Sequence, residues 1–533
     1  MATKKKSKSA KLNDAAKKSK TSAGKKKAQP KQTLEIGNVG PPVEPATASV
    51  GNPPAETSGG MVFTWEDDPV SVPVKQPIQV PVPSLPTTGT LGINIVDAAP
   101  PAQTHPIGTS RFRYWVAAET LTRGMQFWKA LLPPTTRWAT PDRKLRVHLD
   151  MGVDLNAYYR RRTGTLEFFH TTVGGKTIYT GESPNVLCHE LGHAVLDAIR
   201  PQLFHVASVE AAAFHESFGD ISAILCALQL KSVVQAVIDE TRGRIYYSTF
   251  LSRVAEELGW AIRQIRPQNV EPDCLRNAVN SFFYRDPMTL PTTAPATSLS
   301  SAPHSFSRVF TAAFFDALAG MILNDNAQPT VQSIQKISRN AGQLLIDAIG
   351  NAPVVPNYFS QVAAQIVIAD ETRYNRKYRD VLKGAFIRHG ILSLEAASAI
   401  AGGPLPITAV AGILGDGVDS NHTSPTELLP VAIPATSLGF SSATLLCASP
   451  SEGGGSTVAA AAALDTGSLN PPSHTDAIKS FVEDLMRLGR IEVGSFGDSE
   501  TQISQPSVRK THTIIKTGAG PMLERETFDC GFD

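Results

Sequence analysis

Cysteine is scarce in this chain of 533 residues: there are five, Cys188, Cys226, Cys274, Cys447 and Cys530. An odd, widely spaced set is no disulfide framework, and with no C-x-x-C pair nothing suggests a cysteine-built zinc site. Aromatic residues are few as well, at 7%. Long hydrophobic runs are missing. The longest uncharged stretch, Leu428 to Ser451, is broken by Pro430, Pro434 and Gly439 and does not read as a membrane span. No internal repeat is visible. The start MATKKKSKSAKLNDAAKK is basic but lacks the apolar segment of a secretory signal. The expected location is cytoplasmic, or outside the cell by a route that the sequence does not show.

What is present is a globular composition. Apolar residues make up 42%, mean hydropathy is −0.09, and the length suits two or three domains with full cores. The charge is uneven. Residues 1–32 carry twelve Lys and one Asp, so a net +2 for the whole chain leaves about −9 on the rest. Residues 1–60 read as a disordered tail. The plain reading of its lysines is solubility. The sharper one is weak contact with nucleic acid or another anionic surface.

The body reads as an α+β fold. Residues 61–183 suggest a β-rich lobe, with short strands such as Leu145–Met151, Ala157–Tyr159, Thr165–His170 and Thr177–Thr180, and one helix over 111–132. Residues 184–393 suggest a helical lobe. Its expected helices cover 184–199, 207–230, 232–240, 246–266, 273–283, 304–323, 329–349, 357–368 and 374–389. Residues 394–470 are rich in Ala, Gly, Pro and Ser and read as a low-complexity linker. Residues 471–533 suggest a small segment of unknown role: a helix over 475–489, then the strand-like runs IEVGSF and THTIIKT.

The chemistry gathers on PNVLCHELGHAVLDAI, Pro184 to Ile199. Ser183 can cap this helix, Pro184 suits its first turn and Pro201 ends it. His189 and His193 lie one turn apart on one face, so both imidazoles can reach one metal ion. Glu190 is placed to act on a water beside them. A catalytic zinc needs a third protein ligand. Glu216, in AAAFHESFGDISAIL, is the leading candidate, and Asp220 shares its face and can orient a ligand histidine. His215 is an alternative ligand, about 100° round the helix. His205 reads as a solvated loop residue, with helping at the site as the alternative, and Cys188 reads as a small core residue. A developing oxyanion needs a donor, and His304 and Arg276 are offered downstream.

These pieces resemble the thermolysin-like zinc metallopeptidases. Asn156-Ala157-Tyr158-Tyr159, HELGH, E-S-F-G-D, Leu275-Arg276-Asn277, His304-x-x-Ser307 and GAFIRHGIL occur in the family's order. The resemblance covers roughly 110–393. It implies a two-lobe catalytic unit, an N-terminal α/β lobe and a mainly helical one, carrying here a basic tail and a C-terminal extension. It implies one Zn²⁺ on His189, His193 and Glu216, with Asp220 orienting His189 and Glu190 as general base. His304 is then the catalytic partner of the transition state. Arg276 contacts substrate, and Asn156 and Ala157 bind its backbone. The substrate is a peptide or protein, cut before large apolar residues. The acidic cluster for paired calcium is absent after Asp220, so no calcium is expected there. No tyrosine lies between His193 and Glu216, and no acid precedes His304 in TSLSSAP. Those two departures motivate an alternative: a weakened or inactive metalloprotein that acts as a binding scaffold.

Overall fold

The computed structural model describes residues 60–69, 76–400, 428, 430–449, 473–497 and 509–530. All belong to one compact unit, Glu56–Asp533. The basic tail expected over 1–60 lies, but for Gly60, outside the described residues. The fold is mixed α+β.

The first part is mostly strands. β1 (Met61–Thr64) and β2 (Ile78–Pro81) pair antiparallel. β3 (Ile93–Ile95), β4 (Leu145–His148), β5 (Ala157–Arg160) and β6 (Thr165–Phe168) form most of a five-stranded sheet, in the order β5-β6-β4-β3. β3 and β6 run parallel to β4, and β5 runs antiparallel to β6. β7 (His170–Val173) and β8 (Lys176–Tyr179) make a hairpin on the chain's way to the helices. One long helix interrupts the strands, α1 (Ser110–Leu131). Thr109 Oγ1 caps it by accepting from Phe112 N at 3.2 Å, and its spaced apolar residues Trp115, Leu121, Met125 and Trp128 are buried.

The second part is helical: α2 (Pro184–Ile199), α3 (Gln202–His205), α4 (Val209–Ala227), α5 (Lys231–Thr241) and α6 (Glu256–Ile265). The next are α7 (Pro303–Asp325), α8 (Val331–Asn351), α9 (Tyr358–Tyr374), α10 (Arg379–Arg388) and α11 (Leu394–Ala399). α4 is buried from end to end, packed between α2 and α7. A helix apolar on every face is expected in the centre of a core, which is where this one lies. α7 is long and apolar enough to cross a membrane, yet 83% of that window is packed inside the protein.

One expected helix is cut short and another is not there. Residues 246–266 hold a helix only from Glu256, because Ala255 takes a left-handed backbone at φ 53° that a right-handed helix cannot continue through. β9 (Arg253–Val254) precedes it. The 273–283 segment is not helical either, and β10 (Arg276–Asn277) pairs with β9. Asn277 Oδ1 accepts from Val279 N and Asn280 Oδ1 from Phe282 N, at 2.9 and 3.0 Å. Such local side-chain bonds compete with a helical ladder.

Part of the expected linker is also structured. β11 (Pro430–Pro434) and β12 (Thr444–Ala448) enter a second five-stranded sheet with β13 (Ile491–Glu492), β14 (His512–Thr517) and β15 (Gly520–Arg525), in the order β11-β12-β15-β14-β13. Ile433, Leu445 and Cys447 turn inward, and the surrounding Ala, Ser and Gly mask that short alternation. α12 (His474–Arg487) fills the expected 475–489 helix. From β15 the chain crosses in two residues to β16 (Phe528–Asp529), which pairs antiparallel with β5 and becomes an edge of the first sheet.

One buried contact fastens α2 to β5. Tyr159 Oη donates to Asp197 Oδ2 at 2.6 Å, with Arg161 Nε 3.5 Å away. Burial raises the Asp197 carboxyl to about 6, against the opposing pull of Arg161 and Tyr159. The folded value exceeds the unfolded 3.8, so the folded state holds this proton more tightly. The stability from this group is therefore full below pH ~4 and is lost as pH rises through ~6. Denaturant titrations should show Asp197→Asn gaining on the wild type by roughly 2 kcal/mol between pH 4 and pH 8. A difference that does not change with pH would contradict this.

Candidate metal centre

α2 supplies His189, Glu190 and His193, and α4 supplies Glu216 and Asp220. The two helices approach closely because each has a glycine at the crossing. A Cβ added to Gly192 would lie 2.9 Å from Ser222 Cβ and 3.0 Å from Gly219 Cα. One added to Gly219 would lie 2.6 Å from Nδ1 and Cε1 of His189. Ser222 Oγ ties the crossing together, donating to Cys188 O at 2.8 Å and accepting from Trp128 Nε1 at 3.0 Å.

The ligand atoms converge. Those of His189, Glu190 and His193 lie within 4.8 Å of one another. Glu216 Oε2 is 3.4 Å from His189 Nε2, and Glu216 Oε1 is 3.7 Å from His193 Nε2. The two imidazoles stand at 90°, with centroids 4.7 Å apart. Behind them, His189 Nδ1 donates to Asp220 Oδ1 at 3.0 Å. Arg276 then clamps Asp220, Nε to Oδ2 at 2.9 Å and Nη2 to Oδ1 at 2.7 Å. The sequence put Arg276 on substrate; in the structure its guanidinium is bonded to Asp220.

Burial alone would keep His189 neutral, but its bond to Asp220 and the Glu216 carboxylate 3.4 Å away raise it to about 9. Burial takes His193 down to about 3. Burial pushes the Glu190 carboxyl up to about 8. Glu216 and Asp220 stay ionised despite burial, Glu216 through His304 and His193, Asp220 through Arg276 and His189. Meanwhile His189 Nε2, His193 Nε2 and Nδ1, Glu216 Oε2 and both Glu190 oxygens are buried without a hydrogen-bond partner. Orphaned buried polar atoms are costly unless something binds them. Two imidazole nitrogens and a carboxylate are the donor set of a catalytic zinc, so the residues fit that ion.

No family model and no curated protein matches this chain. The centre therefore rests on its own geometry. Asp220→Asn should lower zinc affinity by roughly 10–100-fold, because Asp220 fixes the ring orientation of His189. Competition against a coloured chelator measures that directly. Unchanged affinity would remove Asp220 from the site.

The remaining candidates fall on both sides of the centre. His304 starts α7, and its Nε2 lies 3.2 Å from Glu216 Oε2. His215 is turned onto Phe528, its ring centroid 4.0 Å from that ring, which accounts for its place better than ligation does. His205 is not a solvated loop residue: it ends α3 and packs against Phe204 with centroids 5.1 Å apart, and burial lowers it to about 4. Cys188 is buried in the core. Asn156 and Ala157 are expected on an edge strand; Ala157 opens β5, which β16 covers, so β5 is an inner strand, and Cys530 N donates to Ala157 O at 3.1 Å. Sequence reasoning missed Phe528 and Asp529 altogether and gave Cys530 no place at the centre. Asn156 Nδ2 meets Asp529 Oδ2 at 3.2 Å across 373 positions of chain, and no local pattern announces such a pair. An open pocket of about 500 Å³ lies elsewhere, between Thr135–Arg143, Arg161, Ala198 and Pro201.

Proposed function

We propose that the protein is a zinc-dependent peptidase of the thermolysin-like type, with two lobes meeting at α2. The observation that carries this reading is the buried set of His189, His193 and Glu216, with unpartnered donor atoms and Asp220 behind one imidazole. A zinc ion held by His189, His193 and Glu216 would polarise the substrate carbonyl and lower the pKa of a bound water.

The chain's own residues do the rest. Glu190 takes a proton from the attacking water and passes it to the departing nitrogen. Its burial keeps the carboxylate poorly solvated, which makes it a stronger base than a surface glutamate. His304 Nε2 donates to the carbonyl oxygen as charge builds there. Asp220 holds His189, and Arg276 holds Asp220. Asn156 and Ala157 pair with an extended peptide by strand addition.

Metal analysis with a peptide-library digest tests the reading. One zinc per chain and new cleavage products are expected. A second reading is favoured by the covered edge of β5: the protein keeps the centre but serves as a binding scaffold. Stoichiometric zinc with no cleavage of any library, once that edge is free, would decide for it. The Lys-rich tail adds weak contact with anionic surfaces to the proposal. A binding constant that does not fall with salt would exclude that contact.

A further inference from the structure

The edge of β5 has an occupant with the form of a bound peptide. Phe528 pairs with Tyr159 and Asp529 with Tyr158, and Cys530 N continues the ladder to Ala157 O at 3.1 Å. Thr527 Oγ1 donates to Tyr159 O at 2.8 Å. The Asp529 carboxylate is bonded by Asn156 Nδ2 at 3.2 Å and Arg490 Nη1 at 3.1 Å. The Phe528 ring lies on His215 and His193, with centroids 4.0 and 5.0 Å apart. Arg525 lies over that ring, 4.2 Å from its centroid.

The decisive contact is on the backbone. His304 Nε2 donates to the carbonyl oxygen of Asp529 at 2.6 Å, while standing 3.2 Å from Glu216. So the donor assigned to a reacting carbonyl already holds one. The next residue, Cys530, is fully buried, and its thiol is within electrostatic reach of Glu190, Glu216, Asp220 and Arg276. The bond between Asp529 and Cys530 is therefore the one next to the carbonyl that His304 touches, and Glu190 is among the charged groups that act on the Cys530 thiol. Strand pairing and carbonyl donor address the same peptide unit.

Resting on the peptidase reading, we propose that Thr527–Cys530 is a built-in substrate, and that the centre hydrolyses the Asp529–Cys530 peptide bond of its own chain. One water is consumed. Its oxygen bonds to the Asp529 carbonyl carbon as the C–N bond to Cys530 breaks. Both water protons end on the Cys530 nitrogen, one of them carried by Glu190. The products are an α-carboxylate on Asp529 and an α-ammonium on a fragment that begins with Cys530. Holding the bond in place before the reaction converts a bimolecular encounter into an internal one.

The test uses the full chain, prepared metal-free and then given zinc. In the metal-free protein, a thiol reagent read by peptide mass mapping should label Cys530 slowly. Asp529→Ala, which loses the Asn156 and Arg490 contacts, should raise that rate roughly tenfold or more. On adding zinc, intact mass should fall by the fragment from Cys530 onward in wild type and stay unchanged in Glu190→Gln. The rate should not depend on dilution, and wild type mixed with Glu190→Gln should leave the variant whole.

Rapid labelling of Cys530 in the metal-free wild type would overturn the proposal. So would an intact zinc-loaded chain whose Asp529→Ala form digests a peptide library: the segment would then be an inhibitor, and the peptidase reading would survive. A thiolate-to-metal charge-transfer band on cobalt loading would make Cys530 a ligand and also overturn it. Bound zinc with neither self-cleavage nor library cleavage in any variant would remove both readings.

Discussion

Glu190→Gln should bind one zinc per chain and lose turnover by roughly three to four powers of ten, or about 4–5 kcal/mol of transition-state stabilisation. Glutamine keeps the shape of the side chain but cannot carry a proton from water to nitrogen. Zinc content by elemental analysis, thermal unfolding and initial rates on a cleavable peptide separate the possibilities. The variant should also melt no lower than the wild type. Both Glu190 oxygens are buried without hydrogen bonds, so the carboxylate is held at a cost to the fold. Similar rates in the two proteins would exclude Glu190 as the base. A lost metal would make the variant uninformative about catalysis and point to a structural role for Glu190 in the cage.

Gly219→Ala is the second large effect, and it needs no chemistry. The added methyl would meet the His189 ring at 2.6–2.8 Å, closer than carbon can approach. The ring cannot swing away cheaply, since its Nδ1 is bonded to Asp220 and it is wholly buried. Either α2 and α4 separate or the imidazole leaves the cage. Overpacking of this kind costs about 1–3 kcal/mol. Zinc affinity should fall by at least the ~10–100-fold seen when a ligand loses its orienting partner. Equilibrium unfolding and chelator competition read the two effects separately. A variant that binds zinc as tightly as wild type would show that the crossing has slack which the packing does not suggest. Gly192→Ala, directed at Ser222 Cβ and the α4 backbone, should spread the same helices with less effect on the ring itself.

How much of the fold and the centre is legible in the sequence depends on the range of each signal. α2 is legible to its ends because cap, first-turn proline and terminating proline are all local. His189, Glu190, His193, Glu216 and Asp220 come from helical spacing, and the structure brings their donor atoms together. Arg276 is correctly expected near the centre but on the wrong kind of element: Asn277 and Asn280 spend their side chains on turns, where periodicity suggests a helix. β11 and β12 are hidden in a composition that usually signals a linker. The largest omission is β16. Two residues have no periodicity, and their partner lies some 370 positions earlier. A resemblance confined to 110–393 cannot extend to them.

The two-residue crossing from β15 to β16 would keep one product of a cut on a leash. Residues up to Asp529 would remain attached to the second sheet through β15, six residues paired along their length with β14. The new carboxylate would therefore stay beside the cage at the effective concentration of a short tether, in the millimolar range or above. A freely diffusing product leaves by dilution, whereas this one leaves only when Phe528 and Asp529 peel from β5. Scission and clearance of the cleft become separate events with separate rates. The slower of the two sets when the centre first meets another chain.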